Sequence, residues 1–151
     1  MFPFVRSTIV ENGVIDLPYG AGRHAPIAAE DQARVIATIL AKPAPHVGKT
    51  YTLCGPIELD QAGIAAAIIE VLGRKISYRP MTIPQYRERL ERAGLHEFMI
   101  QHFCAIAVDY QNGLFSGEDK FIAEVTGKPP MTVQDFVASH REAFRTASAA
   151  G

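Results

Sequence analysis

The chain has 151 residues, 48% hydrophobic and 21% charged, with a formal net charge of −1 at pH 7. This suits one domain spanning residues 1–151, long enough to bury about 70% of its unfolded surface. Acidic and basic residues are interspersed with no run of one sign, which argues against a nucleic-acid partner or an anionic membrane.

Val14-Ile15-Asp16-Leu17 reads as a short strand ended by Pro18. The loop YGAGRHAPI, Tyr19 to Ile27, follows. Its residues Gly20-Ala21-Gly22-Arg23-His24-Ala25 fit G-x-G-x-x-[GA], the spacing of a dinucleotide fingerprint. A working fingerprint sends a helix straight out of the glycines and places a carboxylate about 20 residues on. Here Pro26 falls where that helix would begin, and Ile39-Leu40-Ala41-Lys42 holds no carboxylate. The stretch therefore reads as a turn or pocket-edge loop.

Ala29 to Ala41 is expected to be helical, with Val35, Ile36, Ile39 and Leu40 at helical spacing and Glu30 and Asp31 in the first turn. Pro43 and Pro45 end it. KTYTLCG is the strongest strand pattern in the chain, with Tyr51 and Leu53 on one side. Asp60 caps a helix running to Leu72 and stopped by Gly73, with Ile64, Ile68, Val71 and Leu72 on its buried face. KISYRP reads as a further strand. Thr82 and Pro84 open a charged helix that stops at Gly94. A helix from Leu95 to Tyr110 follows, with Phe98, Met99, His102, Phe103 and Ile106 on a wide face that is core or dimer surface. Two more helices are expected, Glu118 to Thr126 and Val133 to about Thr146. Thr132 and Asp135 form a capping box for the second, and the tail ASAAG is expected to fray.

Motifs for catalysis are few. None of the five tyrosines has a lysine four residues later, so Y-x-x-x-K is missing. GLFSG puts Ser116 one place too late for a nucleophile elbow and reads as a helix stop and turn. The histidines form neither H-x-x-x-H nor H-E-x-x-H, and the two cysteines, Cys54 and Cys104, form no C-x-x-C. No metal site is expected, and no catalytic residue is assignable. The cysteines read as buried free thiols. His102 and His140 read as core histidines bonded to backbone, and His46 as solvated. His24, beside Arg23, is either a solvated loop tip or a group that orients a polar ligand. Tyr110 is expected to pack and Asp109 to be exposed, with a pocket-lining role as the alternative. No apolar run reaches the ~18 residues of a membrane span. Met1-Phe2-Pro3-Phe4-Val5 shows no signal-peptide pattern, so a cytoplasmic protein is expected.

Three blocks together resemble the NmrA-like proteins, atypical members of the short-chain dehydrogenase/reductase superfamily. In the first block, Gly13, Pro18, Gly20, Gly22, Pro26, Ile27, Asp31 and Ala33 carry the likeness. In GKTYTLCGPIELDQAGIAAAIIEVLGRKISYRP, it rests on Gly48, Tyr51, Leu53, Gly55, Ile64, Ala65, Gly73, Ile76 and Tyr78. GLFSGEDKFIAEVTGKPPMTVQDFVASH resembles the C-terminal block. Each motif is short, but their order spans nearly the whole chain.

The resemblance implies an α/β fold: the helix-rich C-terminal portion of a Rossmann-like NAD(P)-binding domain, with two or three short strands. Members of the family run to roughly twice this length, with the fingerprint near their N-terminus. The chain is therefore expected to be the substrate-side half, with the dinucleotide-binding half absent. NAD(P) is the cofactor implied for full-length relatives, and none is expected to bind this chain alone. The implied chemistry is hydride transfer to a quinone-type acceptor, or redox sensing, with no turnover expected from this chain alone. A free-standing regulatory module acting by protein association is the alternative. Expected partners are a second copy or a chain supplying the N-terminal half, and a small-molecule acceptor. Substrate contacts are expected from Tyr19, Arg23, His24, Pro26, Tyr51 and Glu58.

Overall fold

A computed structural model describes residues 3–144. The expected end of the last helix near Thr146 and the tail after it lie outside the described residues. The chain opens with a helix the pattern analysis did not anticipate, α1 (Pro3–Asn12). Its signals were present: proline at the first helical position and glycine just past the end. Ile9 of α1 is fully buried.

Strand β1 (Val14–Leu17) follows, then the long loop, then α2 (Ala29–Ala41), a single 3₁₀ turn (Ala44–His46) and α3 (Gln61–Leu72). The Asp60 carboxylate accepts the Gly63 N–H at 2.7 Å, capping α3 as its sequence predicts. Strand β2 (Ser77–Pro80) then pairs parallel with β1, from Val14↔Ser77 to Leu17↔Pro80. The pair is pinned on one face by Arg79, whose guanidinium donates to both carboxylate oxygens of Asp16 at 2.9 and 2.7 Å. Ile15 and Leu17 point the other way, into the core.

Four helices complete the described chain: α4 (Ile83–Arg92), α5 (Glu97–Gln111), α6 (Phe121–Thr126) and α7 (Val133–Ser139). Capping boxes open α4, from Thr82 and Gln85, and α7, from Thr132 and Asp135. α3 packs on α7, α4 on α5 and α2 on α6. The core gathers Ile9, Ile15, Ile68, Leu90 and Val137 from five of these elements.

Several expectations need correction. KTYTLCG forms no strand among the described residues. Gly55 crosses the loop at one point only: its N–H donates to the Ala25 carbonyl at 3.0 Å. The approach is so close that a Cβ on Gly55 would lie 1.8 Å from the Pro26 carbonyl oxygen. Alternation of apolar residues gives a segment its extended shape but not the partner a ladder needs.

On α2, Val35 is buried, but Ile36 and Leu40 are 56% and 73% exposed. On α5 the buried seam runs through Ile100 and Ala107, with Phe103 and Cys104 partly covered; Phe98 is 68% exposed. His102 is exposed on that same outer side, so it is not a core histidine. α6 begins at Phe121, later than Glu118, because Asp119 accepts the Phe121 N–H and Glu118 is engaged elsewhere. α7 ends at Ser139, with His140 as its C-cap, and a 3₁₀ turn (Arg141–Phe144) follows.

Candidate functional site

A cavity of about 690 Å³ lies between the loop after β1, the N-terminus of α2, and α3 and α7. Its floor is apolar: Ile15 and Leu17 from β1, Ile64 from α3 and Val137 from α7. Tyr19, His24 and Tyr110 form an aromatic wall. The rings of Tyr19 and Tyr110 stack at 4.0 Å between centroids and 5° between planes. His24 meets Tyr110 edge-on at 5.1 Å.

The backbone fixes this wall. The Gln111 amide donates to the Pro18 carbonyl at 2.7 Å, and the Tyr78 hydroxyl donates to the Leu17 carbonyl at 3.0 Å. A Cβ on Gly22 would lie 2.3 Å from the Tyr110 carbonyl oxygen, so only glycine lets the loop close on α5 there. The far lip, Met131 and Thr132, is tied down by Asp31, which is only 2% exposed. Asp31 Oδ2 accepts the Met131 N–H at 2.7 Å, and its Oδ1 accepts from Arg34 at 2.6 Å. Arg34 also donates to the Pro129 carbonyl at 3.1 Å.

Burial sets the protonation states in the wall. It raises the Tyr19 phenol above its ordinary value and pushes Tyr110 up to about 12, so both rings are neutral at physiological pH. Burial also lowers His24 below the ordinary imidazole value, against a smaller opposing pull from the Glu58 charge. The His24 Nδ1 is buried with no hydrogen-bond partner. His24 is thus a half-buried wall residue, not a solvated loop tip. The wall offers aromatic faces and one neutral imidazole, a surface for a flat, uncharged ring system.

The structure divides the expected site residues into two groups. Tyr19, His24 and Pro26 line the cavity, whereas Arg23, Tyr51 and Glu58 lie outside its lining. The division follows from one antiparallel bridge: the His24 N–H donates to the Leu59 carbonyl at 3.0 Å, and the Leu59 N–H donates back at 2.8 Å. Extended backbone turns neighbouring side chains to opposite faces, so His24 goes inward and Arg23 outward. Arg23 Nε pairs with Glu58 Oε2 at 3.1 Å, and its other end donates to the Glu58 carbonyl at 2.9 Å. Glu58 Oε1 accepts the Gly117 N–H at 2.7 Å, and the Glu58 N–H donates to Glu118 at 3.1 Å. The Gly117 amide, then Arg23, hold the Glu58 carboxyl below its ordinary value. Tyr51 stacks on Phe121 at 3.6 Å, and its hydroxyl lies 2.9 Å from His46 Nδ1, so His46 is bonded rather than free in solvent.

Tyr110, whose pocket-lining role was the alternative reading, also lines the cavity, as do Gln61, Met131 and Phe136, which pattern reading did not assign. The signal for Tyr110 was faint: a tyrosine near the end of an aromatic helix. The other three gave no motif.

The Gly20–Gly22 turn and the cavity beside it are not built to hold a dinucleotide. No helix leaves the Gly20–Gly22 turn, since α2 begins only at Ala29, and the turn is filled from within by the Tyr110 carbonyl. No lysine or arginine lines the cavity to meet a pyrophosphate. Among the described residues no cluster of side chains could hold a metal, and no helix is long and apolar enough to cross a membrane.

No family model matches the chain. It is 31% identical over 143 residues to an NAD(P)H azoreductase of Xenophilus azovorans, covering 92% of this chain and 48% of that protein. Its relatives thus include NAD(P)H-dependent reductases, in line with the resemblance of its sequence to the NmrA-like proteins. The crystal structure of an NADPH-dependent quinone oxidoreductase from Escherichia coli superposes with a TM-score of 0.80 at 22% identity, over 92% of this chain and 50% of that one. A Citrobacter triphenylmethane reductase complexed with NADP(H) gives 0.75 at 22%, over 91% and 47%. The expected fold class holds: the chain matches the C-terminal part of a Rossmann-like reductase fold. It spans about half the length of the curated relatives it matches.

Proposed function

We propose that this chain forms the acceptor side of an NAD(P)H-dependent reductase and takes a planar aromatic acceptor of quinone or azo type. The observation that carries the reading is the cavity itself: a stacked tyrosine pair and an edge-on imidazole above an apolar floor. Flat rings gain both burial and stacking there. Similarity to an NAD(P)H azoreductase and a quinone oxidoreductase supports the same chemistry.

In this reading the acceptor lies against the Tyr19–Tyr110 pair, and neutral His24 orients it. Asp31, through Met131, holds the lip at working distance. No hydride step falls to the described residues. The dinucleotide is held outside them, by a dinucleotide-binding half in the same polypeptide or on a partner chain, or by a site rebuilt in a homodimer, and these residues act as one acceptor-binding unit. Two free thiols, both raised by burial, fit a reducing cytoplasm.

The test is a pair of titrations on the purified chain, followed by tyrosine fluorescence. Menadione is expected to quench saturably, whereas NADPH and NADH are expected not to bind. A well-folded chain that gives no saturable quenching by menadione sinks the acceptor site. Saturable NADPH binding overturns the division of labour. Menadione binding that never leads to turnover, even when a dinucleotide-binding half is supplied, favours the regulatory module instead.

A further inference from the structure

The cavity is lopsided in charge. Glu30, in the first turn of α2, is its one lining carboxylate, and neither lysine nor arginine lines it. The nearby arginines are turned away, Arg23 toward Glu58 and Arg34 toward Asp31 and Pro129. The group facing Glu30 is His140, whose Nε2 lies 3.3 Å from Glu30 Oε1.

His140 Nδ1 in turn lies 2.9 Å from the Phe136 carbonyl oxygen and 3.1 Å from the Ser139 hydroxyl. No lysine or arginine among the described residues reaches Glu30 across the lining.

We propose that the cavity discriminates acceptors by charge, favouring cationic or neutral aromatic molecules over anionic ones, with Glu30 as the selecting group. The proposal rests on the acceptor-site reading above. Glu30 is half-exposed, so the effect is moderate and sensitive to salt.

The test uses one scaffold and three charges: azobenzene bearing a para methyl, trimethylammonium or sulfonate group. Each is titrated into the purified chain at low ionic strength and about pH 8. The expected order of affinity is ammonium, methyl, sulfonate, with a total spread of roughly five- to tenfold. Glu30→Gln is expected to shrink the spread below about twofold. Equal or tighter binding of the sulfonate overturns the proposal, as does a spread that survives Glu30→Gln. If the methyl compound binds without any charge ranking, charge selection alone fails. If even the methyl compound does not bind, the acceptor site fails with it.

Discussion

His24 and Arg23 are adjacent in sequence but belong to different neighbourhoods. The His24 side is dry and aromatic, with its ring against Tyr110. The Arg23 side is an exposed polar latch, in which Glu58 ties together Arg23 and the Gly117 amide. One bridge to Leu59 separates the two. In extended backbone a shared motif does not mean a shared site; the relevant partner of a loop residue is two positions away.

The comparison breaks hardest where the loop crosses Gly55. Gly55→Ala would drive a Cβ into the Pro26 carbonyl and push the cavity lip out of place. A loss of about 3 kcal/mol in urea unfolding is expected, together with weaker menadione binding. Wild-type stability in that variant would show that the crossing gives way freely.

Asp31→Ala comes next. It leaves Arg34 without its carboxylate and the Met131 amide without an acceptor. About 2–3 kcal/mol is expected to be lost, at or below the lower end for a broken buried pair because Arg34 is partly exposed.

Tyr110→Leu sharpens the contrast directly. It removes a stacked ring from the cavity side and is expected to weaken menadione binding about three- to tenfold. Arg23→Ala, on the latch side, is expected to leave that affinity within about twofold, because an exposed pair contributes little. Equal effects in the two variants would join the neighbourhoods again.

The smallest effects are those of pH, and they separate the two sides by window. His24 is held below its ordinary 6.5, so the unfolded chain binds its proton first. Stability is therefore expected to fall as pH drops below about 6.5 toward the lowered folded value. His24→Phe should remove that slope. Glu58 is held below its ordinary 4.5, so the latch contributes fully above that pH and is lost as pH falls through the lowered value. Glu58→Gln should flatten only this more acidic limb. Thermal melts between pH 7 and 3 would resolve the two.

What sequence revealed here was local. The Thr82 start of α4, the Thr132–Asp135 box and the Asp60 cap were legible because their partners lie within one turn of helix. What it hid was tertiary. Tyr51 and Leu53 alternate like a strand, but no ladder forms because Gly55 crosses its neighbour only once. Ile36, Leu40 and Phe98 have helical spacing, but spacing does not say which stripe the rest of the chain covers. The same holds for the site. Tyr19, His24 and Pro26 were readable as a glycine-loop edge, whereas Met131 and Phe136 arrive from about a hundred residues away.

The parallel pairing of β1 with β2 has a consequence for the order of events during synthesis. Asp16 and Arg79 stand 63 positions apart, and β1 has no other strand partner among the described residues. Closing so long a loop is slow compared with forming the capped helices between. Until the segment through Pro80 has been released, Ile15 and Leu17 have no partner strand to lie against. The cavity, floored by these two residues, is thus among the last features to appear.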